Sequence, residues 1–246
     1  MPVQTDRLAN HLEIRELGLL FGGVRAIDNA SFEALPGEVL GLIGPNGAGK
    51  TSVFNCITGF YRPTHGTIRL GGRAIEGMRP HGISRLGIRR TFQNIRLFND
   101  LTVLHNIAAG AYATGGSQAA LLEAVGQVCA ELGLDRQLLL QPATSLAYGL
   151  QRRVELARAL VADPRVLLVD EPGAGLNAQE KGLICSLLRD VVRSRQIAVV
   201  LIEHDLGMIA RACDRVVVLD HGTVLAQGTP QQVRNDPSVI AAYIGA

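Results

Sequence analysis

The stretch Gly44-Pro45-Asn46-Gly47-Ala48-Gly49-Lys50-Thr51 limits the fold more than any other part of the chain. It fits a template of one glycine, four free positions, then Gly-Lys-Ser/Thr. The apolar run Val39-Leu40-Gly41-Leu42-Ile43 precedes it and Ser52-Val53-Phe54-Asn55-Cys56-Ile57 follows, so the context predicts a strand, a loop and a helix. The glycines Gly44, Gly47 and Gly49 let the backbone through Asn46, Ala48 and Ser52 wrap phosphates with its N–H groups, and the helix N-terminus adds a positive dipole. Lys50 supplies a point charge, and the Thr51 hydroxyl can reach Mg²⁺.

The 246 residues, 47% hydrophobic and 19% charged, suit a folded chain with one large core or two small ones. Net charge is +2, from 24 Lys and Arg against 22 Asp and Glu, so no strong field points to nucleic acid or an anionic membrane as partner. Cys56, Cys129, Cys185 and Cys213 are far apart with no C-x-x-C pair, as expected of reduced thiols without a metal site. Met1–Arg7 lacks the apolar core of a secretory signal. Runs such as 197–202 are far shorter than the ~20 residues of a membrane span, so membrane contact is expected to go through another protein.

Alternation over Leu12–Leu17 and, less cleanly, Ala30–Leu35 predicts an antiparallel edge sheet, with a loop over Leu19–Ala26. Phe21 in that loop is either a core residue or a platform for adenine. Thr67–Leu70 reads as a short strand after the turn Arg62–Gly66. Thr102 caps a predicted helix from Val103 to about Ala113, which Gly115-Gly116-Ser117 breaks. A second helix follows over Gln118–Leu132, with Leu121, Leu122, Val125 and Val128 on one face. Residues 99–145 thus form a helical insertion in an α/β body.

Further on, a helix is expected over Leu150–Ala162 with Val154, Ala157, Leu160 and Val161 inward, ended by Asp163-Pro164. The strand Val166–Val169, a helix over about Ala178–Ser194, the strand Ile197–Ile202 and a helix over Leu206–Ala212 follow, a succession that means a parallel sheet covered on both faces. Arg215–Leu219 and Val224–Ala226 read as a hairpin, and Thr229-Pro230 opens a last helix.

Four apolar residues followed by Asp170-Glu171 put two carboxylates at the C-terminal end of a parallel strand, where open α/β sheets bind ligands. Asp170 is suited to hold Mg²⁺ and Glu171 to act as general base on a water; a helix cap is the plainer alternative. His204, at the next strand end, can donate to a γ-phosphate or be an ordinary satisfied histidine. Gln93 can reach Mg²⁺ or the water, or bond backbone in its loop.

These segments, with Leu146-Ala147-Tyr148-Gly149 ahead of Arg152-Arg153, Leu168–Pro172 and Ile202–Asp205, occur in the order of an ABC transporter ATPase, which the chain resembles over nearly its whole length. Phe54–Tyr61, Arg90–Phe98, the Ala-Tyr-Gly segment and the ending Ala241–Gly245 look like the ATP-binding subunits of high-affinity branched-chain amino-acid importers. The resemblance implies a P-loop ABC cassette over 8–246, with a mostly parallel core sheet, an N-terminal antiparallel β subdomain, a helical subdomain over 99–145 and a C-terminal hairpin and helix over 215–246.

It also implies ATP and Mg²⁺ bound between two cassettes, each ATP held by one P-loop and by the partner's Ala147, Tyr148 and Gly149. By the same resemblance Phe21 stacks on adenine, Gln93 couples the site to the membrane, His204 is a switch histidine, and Gly173–Asn177 crosses the dimer interface. The implied partners are two integral-membrane permease subunits, a coupling helix of which enters near Gln93–Phe98, a second ATPase subunit, and, indirectly, a periplasmic or extracellular solute-binding protein. The expected location is the cytoplasmic face of the inner or plasma membrane, with no nucleic acid involved.

The signature departs from the broad Leu-Ser-Gly-Gly-Gln pattern: Ala147 has no hydroxyl, and Leu150 stands where Gln is usual. Backbone N–H groups of a helix beginning near Gly149 must then supply the phosphate contact. That asymmetry favours a heterodimer over a homodimer. A lipid or polysaccharide exporter ATPase is the alternative function, ahead of a nucleic-acid-linked ABC ATPase, which would call for a tandem cassette, coiled coil or zinc cysteines. No Asn-Lys-x-Asp segment suggests a GTPase.

Overall fold

The computed structural model describes residues 8–112, 115 and 117–244. Two sheets organise it. The first is antiparallel, in the order β2-β1-β4-β5: β1 (Leu12–Phe21) and β2 (Val24–Ala34) form a hairpin, β4 (His65–Leu70) pairs with the other edge of β1, and β5 (Arg73–Ala74) follows. The stretch 19–26, expected as a loop, is mostly strand; only Gly22-Gly23 turns. Tight turns of this kind need positive φ, and Gly22 has φ 57°.

The second sheet runs β10-β9-β3-β8-β7-β6: β3 (Val39–Ile43), β6 (Ile88–Arg90), β7 (Val166–Asp170), β8 (Ala198–Ile202) and β9 (Arg215–Asp220) are parallel, and β10 (Thr223–Gly228) closes it antiparallel to β9. Every residue of β3, β7 and β8 is buried, which is why these strands read as unbroken apolar runs. Their side chains alternate between two cores. Leu40, Leu42, Leu168 and Val200 face the antiparallel sheet, whereas Val39, Ile43, Leu167, Val169, Val199 and Leu201 face the helices of the insertion and C-terminal half.

The helices are α1 (Lys50–Ile57), α2 (Pro80–Arg85), α3 (Val103–Ala109), α4 (Gln118–Glu131), α5 (Tyr148–Leu160), α6 (Ala178–Arg195), α7 (Leu206–Ala212), α8 (Pro230–Arg234) and α9 (Pro237–Ile244). α3 ends at Ala109, short of Ala113, which lies outside the described residues, as does Gly116 of the expected break. On α4 the buried face is Val125, Val128 and Cys129, with Leu121 packed partly against the core as expected, while Leu122 is exposed: of the four expected inward residues only Leu122 points outward. α5 starts at Tyr148, before the expected Leu150, and Val154, Ala157, Leu160 and Val161 are buried as expected. α2 and α9 were not foreseen. The start of α9 nonetheless repeats the Thr229-Pro230 signal as Asp236-Pro237, with Asp236 Oδ1 accepting from the Ser238 N–H at 2.9 Å. All four cysteines are free and buried, and among the described residues no helix is long and apolar enough to cross a membrane.

Candidate functional site

The sequence of the loop between β3 and α1 explains its shape. Gly49 stands just before α1 with φ 102°, and a Cβ there would meet the Ala26 carbonyl oxygen at 2.5 Å, so only glycine lets β2 lie this close. No side chain caps α1, so its first N–H groups stay open to a ligand. Lys50 is buried, and its Nζ donates to the carbonyls of Gly44 and Pro45 at 2.7 and 2.8 Å, bracing the loop from inside. Burial pulls the Lys50 ammonium below its ordinary pKa, while the charges of Glu171 and Asp170 oppose that shift.

A cleft of about 210 Å³ opens here, lined by Ala26, Asn46, Gly47, Gly49–Ser52, Glu171 and His204. Its walls are mainly polar backbone and hydroxyls with one ammonium, which suits phosphates. A larger cleft, about 540 Å³, lies between α7, α8 and α9, but apolar side chains such as Ile209, Val216, Val233 and Val239 line it, and that chemistry does not suit a nucleotide.

The three polar groups that close the mouth come from three separate parts of the chain. Glu171 follows β7 and accepts from Gln93 Nε2 through Oε2 at 2.7 Å, while His204, following β8, bonds Oε1 through Nε2 at 2.8 Å. An ionised carboxylate only accepts, so the His204 proton sits on Nε2, and the same hydrogen can serve either Glu171 or a phosphate oxygen. Glu171 has φ 45°, left-handed for a residue with a Cβ, at a cost of roughly 1–2 kcal/mol. Its N–H donates to the Ile202 carbonyl at 2.9 Å, which ties the turn to β8. Backbone strain held in this way clusters at functional sites.

Asp170 is 5% exposed and lies beneath Glu171. Its Oδ2 accepts from Arg90 at 2.8 Å, leaving Oδ1 without a hydrogen-bond partner among the described residues. The described residues hold no cluster of three or more His, Cys, Asp or Glu able to bind a metal unaided. A hydroxyl and a single carboxylate beside a phosphate cleft fit Mg²⁺ carried in with a nucleotide, since Mg²⁺ keeps few protein ligands.

A model of the ABC transporter family matches residues 27–174, more than half of the chain. This protein is an ABC transporter ATPase. A second family model, for the branched-chain amino acid ATP-binding cassette transporter, matches residues 223–246. The high-affinity branched-chain amino acid transport ATP-binding protein LivG of Escherichia coli K12 is 42% identical over 95% of this chain and 97% of its own. The protein of the same description from Pseudomonas aeruginosa, BraF, is 41% identical at the same coverage. Among solved structures, the ADP conformation of an ATP-binding cassette from an ABC transporter matches with a TM-score of 0.87 and 28% identity, over 96% of this chain and 98% of that one. A nucleotide-free cassette matches at 0.85 and 29%, covering 96% and 99%. As a member of this family the chain binds and hydrolyses ATP.

The segment Ala147–Leu150, expected as the signature, is not among the residues that line the cleft. Ala147 is the N-cap of α5 and makes no side-chain cap, so the helix begins one residue before the expected Gly149 with its first N–H groups open. Gly149 packs on α6: a Cβ there would meet Glu180 Oε1 at 2.7 Å. Leu150, where the broad pattern has Gln, is partly buried against the helical core, so an apolar residue fits its surroundings. Tyr148 is half-exposed beside Gly175. Asn177 caps α6 in a reciprocal box with Glu180, its Oδ1 accepting from the Gln179 and Glu180 N–H groups at 3.0 Å.

Phe21 is not among the residues lining the cleft; it ends β1, 46% exposed, edge-on to Tyr61 with centroids 5.0 Å apart. Sequence reasoning missed several supporting groups. Arg152 and Glu155 form a fully buried pair at 2.9 Å, with Arg152 donating to the Phe92 and Gln93 carbonyls at 3.0 and 2.9 Å and Glu155 accepting from the Phe92 N–H at 3.3 Å. They clamp the Gln93 loop onto α5. Their i,i+3 spacing on a helix was legible, but their burial was not. Glu203 accepts from the N–H groups of Gly173, at 2.7 Å, and of His204, at 2.8 Å, joining the two strand ends. Tyr243 of α9 hydrogen-bonds the backbone of Gly44; burial raises the phenol pKa while that bond opposes the rise.

A groove of about 420 Å³ flanks the Gln93 loop, between Phe92, Phe98 and the end of α3, with Arg89, Arg96 and Arg158 at its edges. Arg96 lies over the Phe92 ring at 4.7 Å and Arg158 over Phe98 at 5.6 Å.

Proposed function

We propose that the chain is the ATP-hydrolysing subunit of an importer of branched-chain amino acids or related small polar solutes. The observation that carries the catalytic part is the carboxylate of Glu171 held at the mouth of the P-loop cleft by Gln93 and His204. The substrate class rests on the relatives' activity and on the C-terminal segment matched by the branched-chain family model.

In this reading the N–H groups of Asn46–Ser52 and the Lys50 ammonium hold the ATP phosphates. Glu171 takes a proton from the attacking water, each of its oxygens keeping a lone pair beyond the bonds to Gln93 and His204. His204 exchanges its Nε2 hydrogen between Glu171 and the γ-phosphate, and Gln93 orients the water. Thr51, Asp170 and Gln93 would hold Mg²⁺ together with the phosphates, and such an ion would supply positive charge against the phosphoryl group. Residues 8–246 work as one cassette, with 99–145 as its helical arm. Phe21 stacks on adenine, and Ala147, Tyr148 and Gly149 close on the partner's ATP through the open N-terminus of α5.

The groove beside Gln93 receives a coupling helix of a permease subunit, and its arginine edge suits a helix bearing carboxylates. The chain sits on the cytoplasmic face of the membrane through two permease subunits, beside a second, different ATPase, and receives its signal from an external solute-binding protein. The test is turnover by the reconstituted transporter. A rise on adding solute-loaded binding protein supports the importer; a rise with lipid and none with binding protein overturns it.

A further inference from the structure

Arg90 is the last residue of β6, three positions ahead of Gln93, and its side chain is 8% exposed. Its guanidinium joins two parts of the nucleotide site. One Nη donates to Asp170 Oδ2 at 2.8 Å and the other to Asn55 Oδ1, on the phosphate-binding helix, at 2.7 Å. The group lies over the Phe54 ring at 5.3 Å and the Phe92 ring at 5.4 Å. Its Nε is buried without a partner, so the cation is kept here despite imperfect solvation. The carboxylate it neutralises is close enough to Lys50 for its charge to be felt at the phosphate-binding ammonium.

We propose that Arg90 is a positioning residue that acts as the built-in counter-ion of Asp170. It does part of the work of Mg²⁺ before the metal arrives and holds the carboxylate's second oxygen free for it. The inference rests on the reading of the P-loop cleft as the ATP site. Without Arg90 the Asp170 charge faces the ATP phosphates uncompensated, so metal-free ATP is repelled more strongly, whereas Mg²⁺-ATP brings its own cation. The dependence of ATP binding on Mg²⁺ therefore rises when Arg90 loses its charge.

The experiment measures equilibrium ATP affinity with Mg²⁺ and with EDTA, on the purified Glu171→Gln chain to suppress turnover. The ratio of the two dissociation constants is compared with that of the same chain carrying Arg90→Met or Arg90→Lys. Removing a unit charge a few ångströms from the carboxylate raises the ratio about tenfold in Arg90→Met. Arg90→Lys, which keeps the charge but loses the fork, stays within about twofold of the parent ratio. Equal weakening with and without Mg²⁺ in Arg90→Met means a packing role and overturns the proposal, as does an unchanged ratio. Should Arg90→Met not fold, Arg90→Lys and Asp170→Asn carry the test: a ratio that falls in Asp170→Asn and holds in Arg90→Lys supports the proposal, and any other pattern overturns it. A parent chain that binds no ATP in either condition overturns the reading of the site itself.

Discussion

Apart from the short α2, whose first residue Pro80 has no N–H to cap, two helices of this ATPase, α1 and α5, begin without a side-chain cap and leave their first N–H groups open. By contrast α3, α4, α6, α7 and α8 are capped by Thr102, Ser117, Asn177, Asp205 and Thr229. A cap satisfies donors that an anion would otherwise use, so an uncapped terminus leaves those donors available to a ligand. The two open termini are furnished differently. That of α1 has Lys50, Thr51, Glu171 and His204 around it and can act within one chain. That of α5 has an alanine at the cap, a half-exposed tyrosine and a dent of about 80 Å³ shared with α6. In the proposed reading it is half of a site that a second cassette completes.

The sharpest way to break this contrast is to disable the furnished terminus alone. Glu171→Gln should keep ATP binding and lose turnover by about 10²–10⁴-fold, the usual contribution of a general base. A mutant with near-normal hydrolysis, measured by phosphate release, would remove Glu171 from the chemistry. Light scattering of the same variant with and without ATP then probes the other terminus. ATP-dependent homodimers would mean that Ala147–Leu150 closes on ATP; a monomer that binds ATP supports an obligatory second ATPase.

Next in size is the link between the two regions. Arg152→Ala leaves the buried Glu155 carboxylate unpaired and frees two carbonyls of the Gln93 loop. Breaking a buried pair in this way costs about 3–5 kcal/mol, read as a lower urea midpoint. The double variant Arg152→Met with Glu155→Leu should recover most of that stability without recovering turnover, because the clamp on Gln93 stays lost. Recovery of both would make the pair a packing device only.

The P-loop, the paired carboxylates and the strand-end histidine were legible because each is carried by contiguous residues whose spacing fixes the geometry, as in Gly44–Thr51. The parallel strands were legible for a similar reason: burial on both faces erases alternation and leaves bare apolar runs such as Val166–Val169. What was missed depends on contacts across the chain. Nothing local marks Arg152 and Glu155 as buried, since a helical Arg–Glu pair is usually a solvated one. The 19–26 stretch was read as a loop because Gly22-Gly23 dominates its composition, although its flanks continue the hairpin. Leu122 was placed inward by residue type, but helix rotation is set by the packing of Val125, Val128 and Cys129.

The unfurnished terminus offers a smaller, constructive test. Ala147→Ser gives α5 the hydroxyl cap it lacks, worth about 1 kcal/mol of stability. In the assembled transporter the same hydroxyl adds a phosphate contact, so ATP-driven pairing with the second cassette should strengthen about tenfold, equivalent to about 1.4 kcal/mol. Stabilisation of the lone chain with no change in pairing would show that the signature terminus does not meet nucleotide.

The smallest effect concerns Phe21, where the sequence reading and the single-chain structure pull apart. Its ring meets Tyr61 edge-on, yet nearly half of it is exposed at the end of β1. Stacking of a base on an aromatic is worth about 1–3 kcal/mol. The lower end applies here, because turning a face toward adenine gives up part of an edge contact worth about 0.5–1.5 kcal/mol. Phe21→Leu should therefore weaken ATP about fivefold in a titration and leave binding of inorganic triphosphate unchanged, since only the base loses its platform. If ATP and triphosphate weaken together, the substitution has disturbed the hairpin that carries Ala26 against the phosphate loop, and Phe21 belongs to the scaffold of the cleft.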